Sequence, residues 1–162
     1  MRRIAPGTAL LALLLLAGCG DGKAPAASGA AASAVRAGGG MPSFRKPDPA
    51  RAKTTASGLV YEILLEGEGR TPKATDRVRV HYTGWLEDGT VFDSSYERNE
   101  PAVFPLNRVI AGWTEGVQLL KEGGVGLFSI PGPLAYGANP PPRSGIPPNA
   151  NLIFQVELLR VE

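Results

Sequence analysis

The chain has 162 residues, of which 43% are hydrophobic, and its 17 basic and 15 acidic side chains give a formal net charge of +2. This length supports one domain with a hydrophobic core and is too short for two once the N-terminal segment is set aside. Two basic residues, Arg2 and Arg3, lie in that segment, so the remainder is nearly neutral and we expect no nucleic-acid partner.

The first 18 residues have the order of a signal peptide. Arg2-Arg3 gives a positive start, residues 10–16 form an apolar run, and the small residues Ala17-Gly18 follow. The apolar run is shorter than the roughly 20 residues that a membrane-spanning helix needs. We therefore predict that residues 1–18 are a signal peptide.

The only cysteine of the chain, Cys19, follows Leu16-Ala17-Gly18. These four residues resemble the lipobox of bacterial lipoproteins. The resemblance implies lipidation of Cys19 and a membrane-anchored protein of the bacterial cell envelope, on its periplasmic face. Several acyl chains would anchor it stably, since each buried CH₂ contributes roughly 0.8 kcal/mol. The alternative is an ordinary secretory signal with an incidental cysteine, and the sequence does not separate inner from outer membrane.

Residues 19–56 are rich in Ala, Gly, Ser and Pro. Such a composition cannot bury enough apolar surface to offset the entropy lost on ordering. We predict a flexible tether after the lipidated cysteine, with a reach of about 30–35 Å for ~35 residues. An Ala-rich helix is the alternative, which the interspersed Gly, Pro and Ser disfavour.

Residues 57–162 carry the periodic patterns of a folded domain. Strands are predicted where apolar residues run together or alternate with polar ones, at residues 59–65, 78–82, 90–92, 125–130 and 152–158. Asp88-Gly89 is a turn signal between two of them.

One short helix is predicted between these strands. Its apolar face comprises Ile110, Trp113, Val117 and Leu120, and Gly123-Gly124 ends it. Four to six strands with one helix indicate an α+β domain, an antiparallel sheet packed on a helix.

Five segments of this domain, taken in order and spacing, resemble the signature segments of FKBP-type peptidyl-prolyl cis/trans isomerases. The similarity extends from about Ser57 to Glu162. The segments are Val80-His81-Tyr82-Thr83-Gly84-Trp85-Leu86, Asp88-Gly89-Thr90-Val91-Phe92-Asp93-Ser94-Ser95, Val109-Ile110-Ala111-Gly112-Trp113-Thr114-Glu115-Gly116, Leu134-Ala135-Tyr136-Gly137 and Ile146-Pro147-Pro148-Asn149-Ala150-Asn151-Leu152-Ile153-Phe154.

The resemblance implies an FKBP-like fold, a twisted antiparallel sheet wrapped around one short helix, with an apolar pocket. It implies catalytic roles for Tyr82, Phe92, Asp93, Tyr136 and Phe154, and substrate-binding roles for Phe104, Val109, Ile110, Trp113 and Ile146.

Particular roles follow from the same resemblance. The Trp113 indole would form the pocket floor, and the Tyr136 hydroxyl and Ile110 backbone N–H would donate hydrogen bonds to substrate carbonyls. Asp93 would orient Tyr82 or the ligand. The implied partners are proline-containing polypeptides of the cell envelope and macrolide inhibitors such as rapamycin.

The sequence departs from the family pattern in three places. Ala102 stands where an aromatic residue is common, Asn139 to Gly145 form a proline-rich loop without the histidine of some members, and Pro131-Gly132-Pro133 replaces a segment that usually holds an acidic residue. The first two departures bear on substrate preference and macrolide affinity.

The chemistry of X–Pro isomerisation suits these residue types. Rotation breaks amide resonance across a barrier of ~18–20 kcal/mol and makes no covalent bond, so we expect no nucleophile, metal or cofactor. A thousandfold acceleration needs roughly 4 kcal/mol, whereas one hydrogen bond supplies about 0.5–1.5 kcal/mol. Desolvation and positioning in a dry pocket would therefore contribute most of the effect.

Plainer interpretations remain for single residues. Trp113 could be a core residue, Tyr136 a packing tyrosine and Asp93 a turn cap, while His81 is expected to be structural because it lies opposite Val80 and Tyr82. The chain's single His and single Cys are too far apart for a dyad or a metal site. The whole domain could also be a lipid-anchored module or chaperone that binds proline segments without significant turnover.

Overall fold

The structure is a computed structural model that describes residues 40–162. The predicted signal peptide, Cys19 and the first part of the predicted tether lie outside the described residues. Within the described part of the chain, no helix has the length and apolar character needed to cross a membrane.

Seven strands and one α-helix make up the described region. The strands are β1 (Lys53–Thr54), β2 (Val60–Leu65), β3 (Arg77–Leu86), β4 (Val91–Ser94), β5 (Ala102–Pro105), β6 (Val125–Ile130) and β7 (Leu152–Val161). The helix α1 spans Ala111–Val117, and two 3₁₀ turns span Leu106–Arg108 and Gly132–Leu134.

All strand pairings are antiparallel, in the order β1-β2-β6-β7-β3-β4, with β5 also paired to β3. The long strand β3 uses one edge twice: residues 77–80 pair with β5, and residues 83–85 pair with β4. Its other edge pairs with β7 along its whole length, with a register shift between Arg79 and Val80. Strand β3 therefore runs from the buried core past the region between β4 and β5, and its side chains contribute to both.

The main core lies between the inner face of this sheet and α1. Val78, Val80 and Tyr82 are at most 4% exposed, so the predicted alternation along β3 is confirmed. Glycine lets α1 approach the sheet closely, because a Cβ at Gly116 would lie 3.0 Å from the Phe128 ring.

The helix is shorter than predicted. It ends at Val117 with Gln118 as its C-cap, well before Gly123-Gly124. Leu120 is nevertheless 2% exposed and packs in the core, because the chain turns after the helix and keeps the apolar side chain inward.

A smaller apolar cluster lies on the opposite, outer face of the sheet and contains Leu64, Trp85, Val125, Leu127 and Ile153. Phe44 covers part of it, with its ring centroid 6.0 Å from that of Trp85. The segment from Phe44 to Thr54, here called the N-terminal strap, thus contacts the domain, although the sequence placed it in the flexible tether.

A buried carboxylate fastens this strap. Glu62 is 1% exposed, and its Oε2 accepts hydrogen bonds from Arg45 Nη2 at 2.8 Å and the Asp48 backbone N–H at 3.0 Å. Arg51 Nη1 lies 3.3 Å from Glu62 Oε1. Because these contacts join residues far apart in sequence and follow no period, composition did not indicate them.

Candidate active site

A cavity of about 420 Å³ opens between the inner face of the sheet and the start of α1. It is lined by Tyr82, Phe92, Asp93, Phe104, Arg108, Val109, Ile110, Trp113, Tyr136 and Phe154. Most of the lining is aromatic or aliphatic, and the polar groups come from few residues.

The Trp113 indole lies at the centre of the aromatic lining. Its ring centroid is 5.1 Å from that of Tyr82, 5.5 Å from that of Phe104 and 5.4 Å from that of Phe154, each at a nearly perpendicular angle. Phe92 meets Phe154 in the same way at 5.5 Å. Such edge-to-face contacts hold aromatic rings in fixed orientations, so the cavity wall is preformed.

Five separate elements supply these rings. Tyr82 is on β3, Phe92 on β4, Phe104 on β5, Trp113 on α1 and Phe154 on β7. Their convergence is a consequence of the sheet order, because β3 lies directly between β7 and the two short strands.

Gly84 makes room for two of the rings. A Cβ at this position would lie 2.6 Å from Phe92 Cζ and 2.8 Å from Phe154 Cε1. Real Cβ atoms do not approach other atoms so closely, so a larger residue at position 84 would displace the wall of the cavity.

A polar triad borders the aromatic wall. The Tyr82 hydroxyl donates a hydrogen bond to Asp93 Oδ2, Arg98 Nη1 donates to Asp93 Oδ1 at 2.6 Å, and Arg98 Nη2 donates to the Tyr82 hydroxyl at 3.0 Å. Burial, and then the bond to Asp93, raises the pKa of Tyr82 to about 12. The Tyr82 hydroxyl is therefore protonated at neutral pH, and Arg98 balances the carboxylate charge.

Two hydrogen-bond donors of the lining have no partner among residues 40–162. The Tyr136 hydroxyl donates to no group of residues 40–162, and Tyr136 is 36% exposed. Burial raises its pKa, so it too keeps its proton at neutral pH. The backbone N–H of Ile110, at the N-cap of α1, likewise donates no hydrogen bond to a backbone carbonyl of residues 40–162.

The structure brings together nine of the ten pocket residues expected from the sequence. The exception is Ile146, which is 9% exposed and packs in the main core instead of lining the cavity. Its neighbours in sequence are prolines and polar residues, so the sequence could not show which way its side chain turns.

Sequence reasoning missed Arg98 and Arg108. Arg98 follows Asp93 by five residues in a polar loop, and Arg108 directly precedes Val109-Ile110. Isolated arginines are usually solvated surface residues, so neither position carried a signal of its own.

His81 lies outside the cavity. Its Nδ1 is 2.9 Å from Ser95 Oγ, and its ring stacks on Tyr96 at 4.7 Å. In residues 40–162 no three His, Cys, Asp or Glu side chains are grouped so as to hold a metal ion.

An antiparallel sheet wrapped against one short helix, with an aromatic cavity at the helix start, defines the FKBP fold. The model of FKBP-type peptidyl-prolyl cis-trans isomerases matches residues 68–159. The chain therefore belongs to this family.

Several relatives share the domain. The chain is 57% identical over 110 residues to the FKBP-type peptidyl-prolyl cis-trans isomerase FkpA of Aeromonas hydrophila, covering 68% of this chain and 40% of that protein. It is 53% identical over 108 residues to the FKBP-type 22 kDa peptidyl-prolyl cis-trans isomerase of Escherichia coli K12, covering 67% and 52%. The chain thus spans about half the length of these relatives or less.

Solved structures agree with the fold. The crystal structure of FkpA from Escherichia coli superposes with a TM-score of 0.65 at 50% identity, covering 68% of this chain and 51% of that one. A peptidyl-prolyl cis-trans isomerase from Pseudomonas syringae pv. tomato gives a TM-score of 0.65 at 37% identity, covering 71% and 83%.

Proposed function

We propose that this chain is a peptidyl-prolyl cis/trans isomerase that acts on proline-containing segments of exported proteins in the bacterial cell envelope. The observation that carries the proposal is the preformed aromatic cavity around Trp113, bordered by the donors of Tyr136 and Ile110, which have no partner in the described part of the chain. The relatives described above are named as peptidyl-prolyl cis-trans isomerases, which supports the same activity.

The cavity can act by excluding water from the rotating bond. A planar amide is more polar than a twisted one, because twisting ends the resonance between nitrogen and carbonyl. Walls formed by Phe92, Trp113 and Phe154 would hold the proline ring and leave the amide poorly solvated. Poor solvation raises the free energy of the planar amide relative to that of the twisted transition state.

The polar groups would then fix the peptide on both sides of the proline. Tyr136 and the Ile110 N–H, whose donors have no partner within residues 40–162, would bind substrate carbonyls, while the triad of Tyr82, Asp93 and Arg98 satisfies its own hydrogen bonds. Each donor contributes only about 0.5–1.5 kcal/mol, so positioning and desolvation act together.

A protease-coupled assay of a short X–Pro peptide tests the activity. Burial of one Phe side chain contributes about 1.5–3 kcal/mol, which corresponds to roughly a ten- to hundredfold rate effect. We expect Phe92→Ala to lower kcat/KM by at least about tenfold. Phe44→Ala, which removes a ring from the outer face of the sheet, is the matched control. A folded wild-type chain that does not accelerate isomerisation would refute the proposal.

The alternative is a module or chaperone that binds proline segments without significant turnover. Ala102 keeps it open, because it replaces a common aromatic residue; in the structure Ala102 lies on β5, half-buried against the core. We also propose that the cavity admits macrolides such as rapamycin, and titration with rapamycin followed by tryptophan fluorescence would measure this.

The envelope location rests on the lipobox resemblance at Cys19. Metabolic labelling with a radioactive fatty acid should label the wild-type protein and not the Cys19→Ser variant. Equal labelling of both would exclude Cys19 as the acylated residue.

A further inference from the structure

Arg108 is the one cationic side chain among the residues that line the cavity. It is exposed and is the last residue of the 3₁₀ turn Leu106–Arg108, immediately before Val109 and Ile110. It takes part in none of the ion pairs formed among residues 40–162. No hydrogen bond of its side chain to those residues is present either.

The other charge in the lining is already balanced. Asp93 Oδ1 lies 2.6 Å from Arg98 Nη1, and both residues also form hydrogen bonds with the Tyr82 hydroxyl. The net charge at the cavity is therefore that of Arg108.

The position of Arg108 places its charge beside the peptide, not beneath the proline. Trp113 lies one helical turn after Ile110 and is 5% exposed, so it marks the inner end of the cavity. Arg108 precedes that turn on the exposed rim. A side chain next to the bound proline would thus meet the guanidinium, while the proline ring meets the aromatic wall.

We infer that Arg108 is a specificity-determining residue that favours proline segments with an acidic residue beside the proline and disfavours those with a basic one. The inference rests on the proposed function and names the substrate class of the same site. A guanidinium matches a carboxylate in geometry as well as in charge. Since the rim is exposed, we expect a modest effect on kcat/KM.

Peptides that differ only at the residue before or after proline test this inference. With Glu, Gln or Lys at one such position, wild-type kcat/KM should fall in the order Glu, Gln, Lys, with about two- to tenfold between the extremes at low salt. The ratio should shrink at high salt, where exposed charges are screened.

Two variants and a control assign the preference. Arg108→Gln should bring the Glu-to-Lys ratio close to one, and Arg108→Glu should invert it. Arg160→Gln removes an exposed arginine near the end of β7, outside the cavity lining, and should keep the wild-type ratio. A wild-type ratio that persists in Arg108→Gln, or a ratio of one in an active wild-type enzyme, would overturn the inference.

Binding separates this inference from the proposed function. If no peptide is accelerated, the isomerase proposal fails, and titration of the same peptides against the Trp113 indole N–H signal in NMR spectra decides the preference alone. Tighter binding of the Glu peptide in wild type but not in Arg108→Gln would support the role of Arg108. Equal affinities of the wild-type protein for the Glu and Lys peptides would refute the role of Arg108.

Discussion

Two tyrosine hydroxyls of the cavity have different surroundings. Tyr82 donates to Asp93 and accepts from Arg98, so its hydrogen bonds are internal. The hydroxyl of Tyr136 has no partner within residues 40–162 and belongs to a partly exposed side chain. Tyr136 is thus the better placed of the two to bind a peptide, and Tyr82 the better placed to hold the wall.

Removing the Tyr136 hydroxyl should therefore affect activity more than stability. We expect Tyr136→Phe to lower kcat/KM by roughly two- to tenfold, the equivalent of one hydrogen bond. Tyr61→Phe, which removes a hydroxyl on β2 outside the cavity lining, should leave kcat/KM unchanged. Peptide kinetics of both variants check this, and equal values for Tyr136→Phe and wild type would exclude the hydroxyl from binding.

Three tyrosines with raised pKa values also predict how stability depends on pH. Burial raises the pKa of Tyr82, Tyr96 and Tyr136 above the usual 10.0, and that of Tyr82 reaches about 12. Below pH 10 both folded and unfolded chains keep these protons, so nothing changes. From about pH 10 to 12 the unfolded chain loses protons that the folded chain retains, and the free energy of unfolding must fall.

Urea unfolding at a series of alkaline pH values measures this fall. Tyr82→Phe should make the decline shallower, because it removes one of the three groups. A decline of the same steepness in Tyr82→Phe and wild type would show that Tyr82 does not contribute to it.

At the scale of elements, the N-terminal strap extends the folded unit beyond the pattern seen in the sequence. Glu62 lies under it with 1% exposure and is held by Arg45 and Arg51. A buried carboxylate needs such partners, since desolvation of an unpaired charge is costly. The strap and the carboxylate therefore stabilise each other.

Replacing both cations tests that dependence. We expect Arg45→Ala with Arg51→Ala to lower the free energy of unfolding by about 1–3 kcal/mol, because a charged hydrogen bond from Arg45 and an ion pair with Arg51 at a buried carboxylate are lost. Lys46→Ala is the control: its contact with Glu87 is 3.8 Å long and both side chains are 52% exposed. The control should change stability by less than about 0.5 kcal/mol, and equal losses in both proteins would contradict a special role for Glu62.

Sequence patterns predicted the elements where the signal is local. Alternation along β3 and the apolar runs of β2, β6 and β7 each lie within a few consecutive residues. The two-residue strand β1 and the proline-ended strand β5 form only because a neighbour offers a free edge. The amino-acid composition of these two segments does not indicate that a neighbouring strand has a free edge.

At the scale of the whole molecule, the cavity exists because distant segments meet around β3. The segments that resemble the family supplied eight residues of its lining, and Phe104 lies between two of these segments. Arg98 and Arg108 were missed because their roles depend on which charges lie nearby in space. Ile146 packs in the same apolar cluster as Trp113 without lining the cavity, and its contact with substrate stays a prediction, because an apolar side chain in a loop can turn either to a cavity or to the core.

A catalyst and a binding module would affect the cis/trans equilibrium of a peptide differently. A module that only holds proline segments would bind one isomer and shift its population in proportion to the protein added. A catalyst lowers one barrier from both sides and leaves the equilibrium where it was. These two behaviours differ in a single experiment.

That experiment is two-dimensional exchange NMR of an X–Pro peptide at equilibrium, with the full chain added well below the peptide concentration and no protease present. Uncatalysed exchange takes tens to hundreds of seconds. If the cavity catalyses rotation, cis-to-trans and trans-to-cis rates rise together and the cis fraction stays constant. A cis fraction that changes with added protein while exchange stays slow would instead identify a binding module and contradict the assignment as an isomerase.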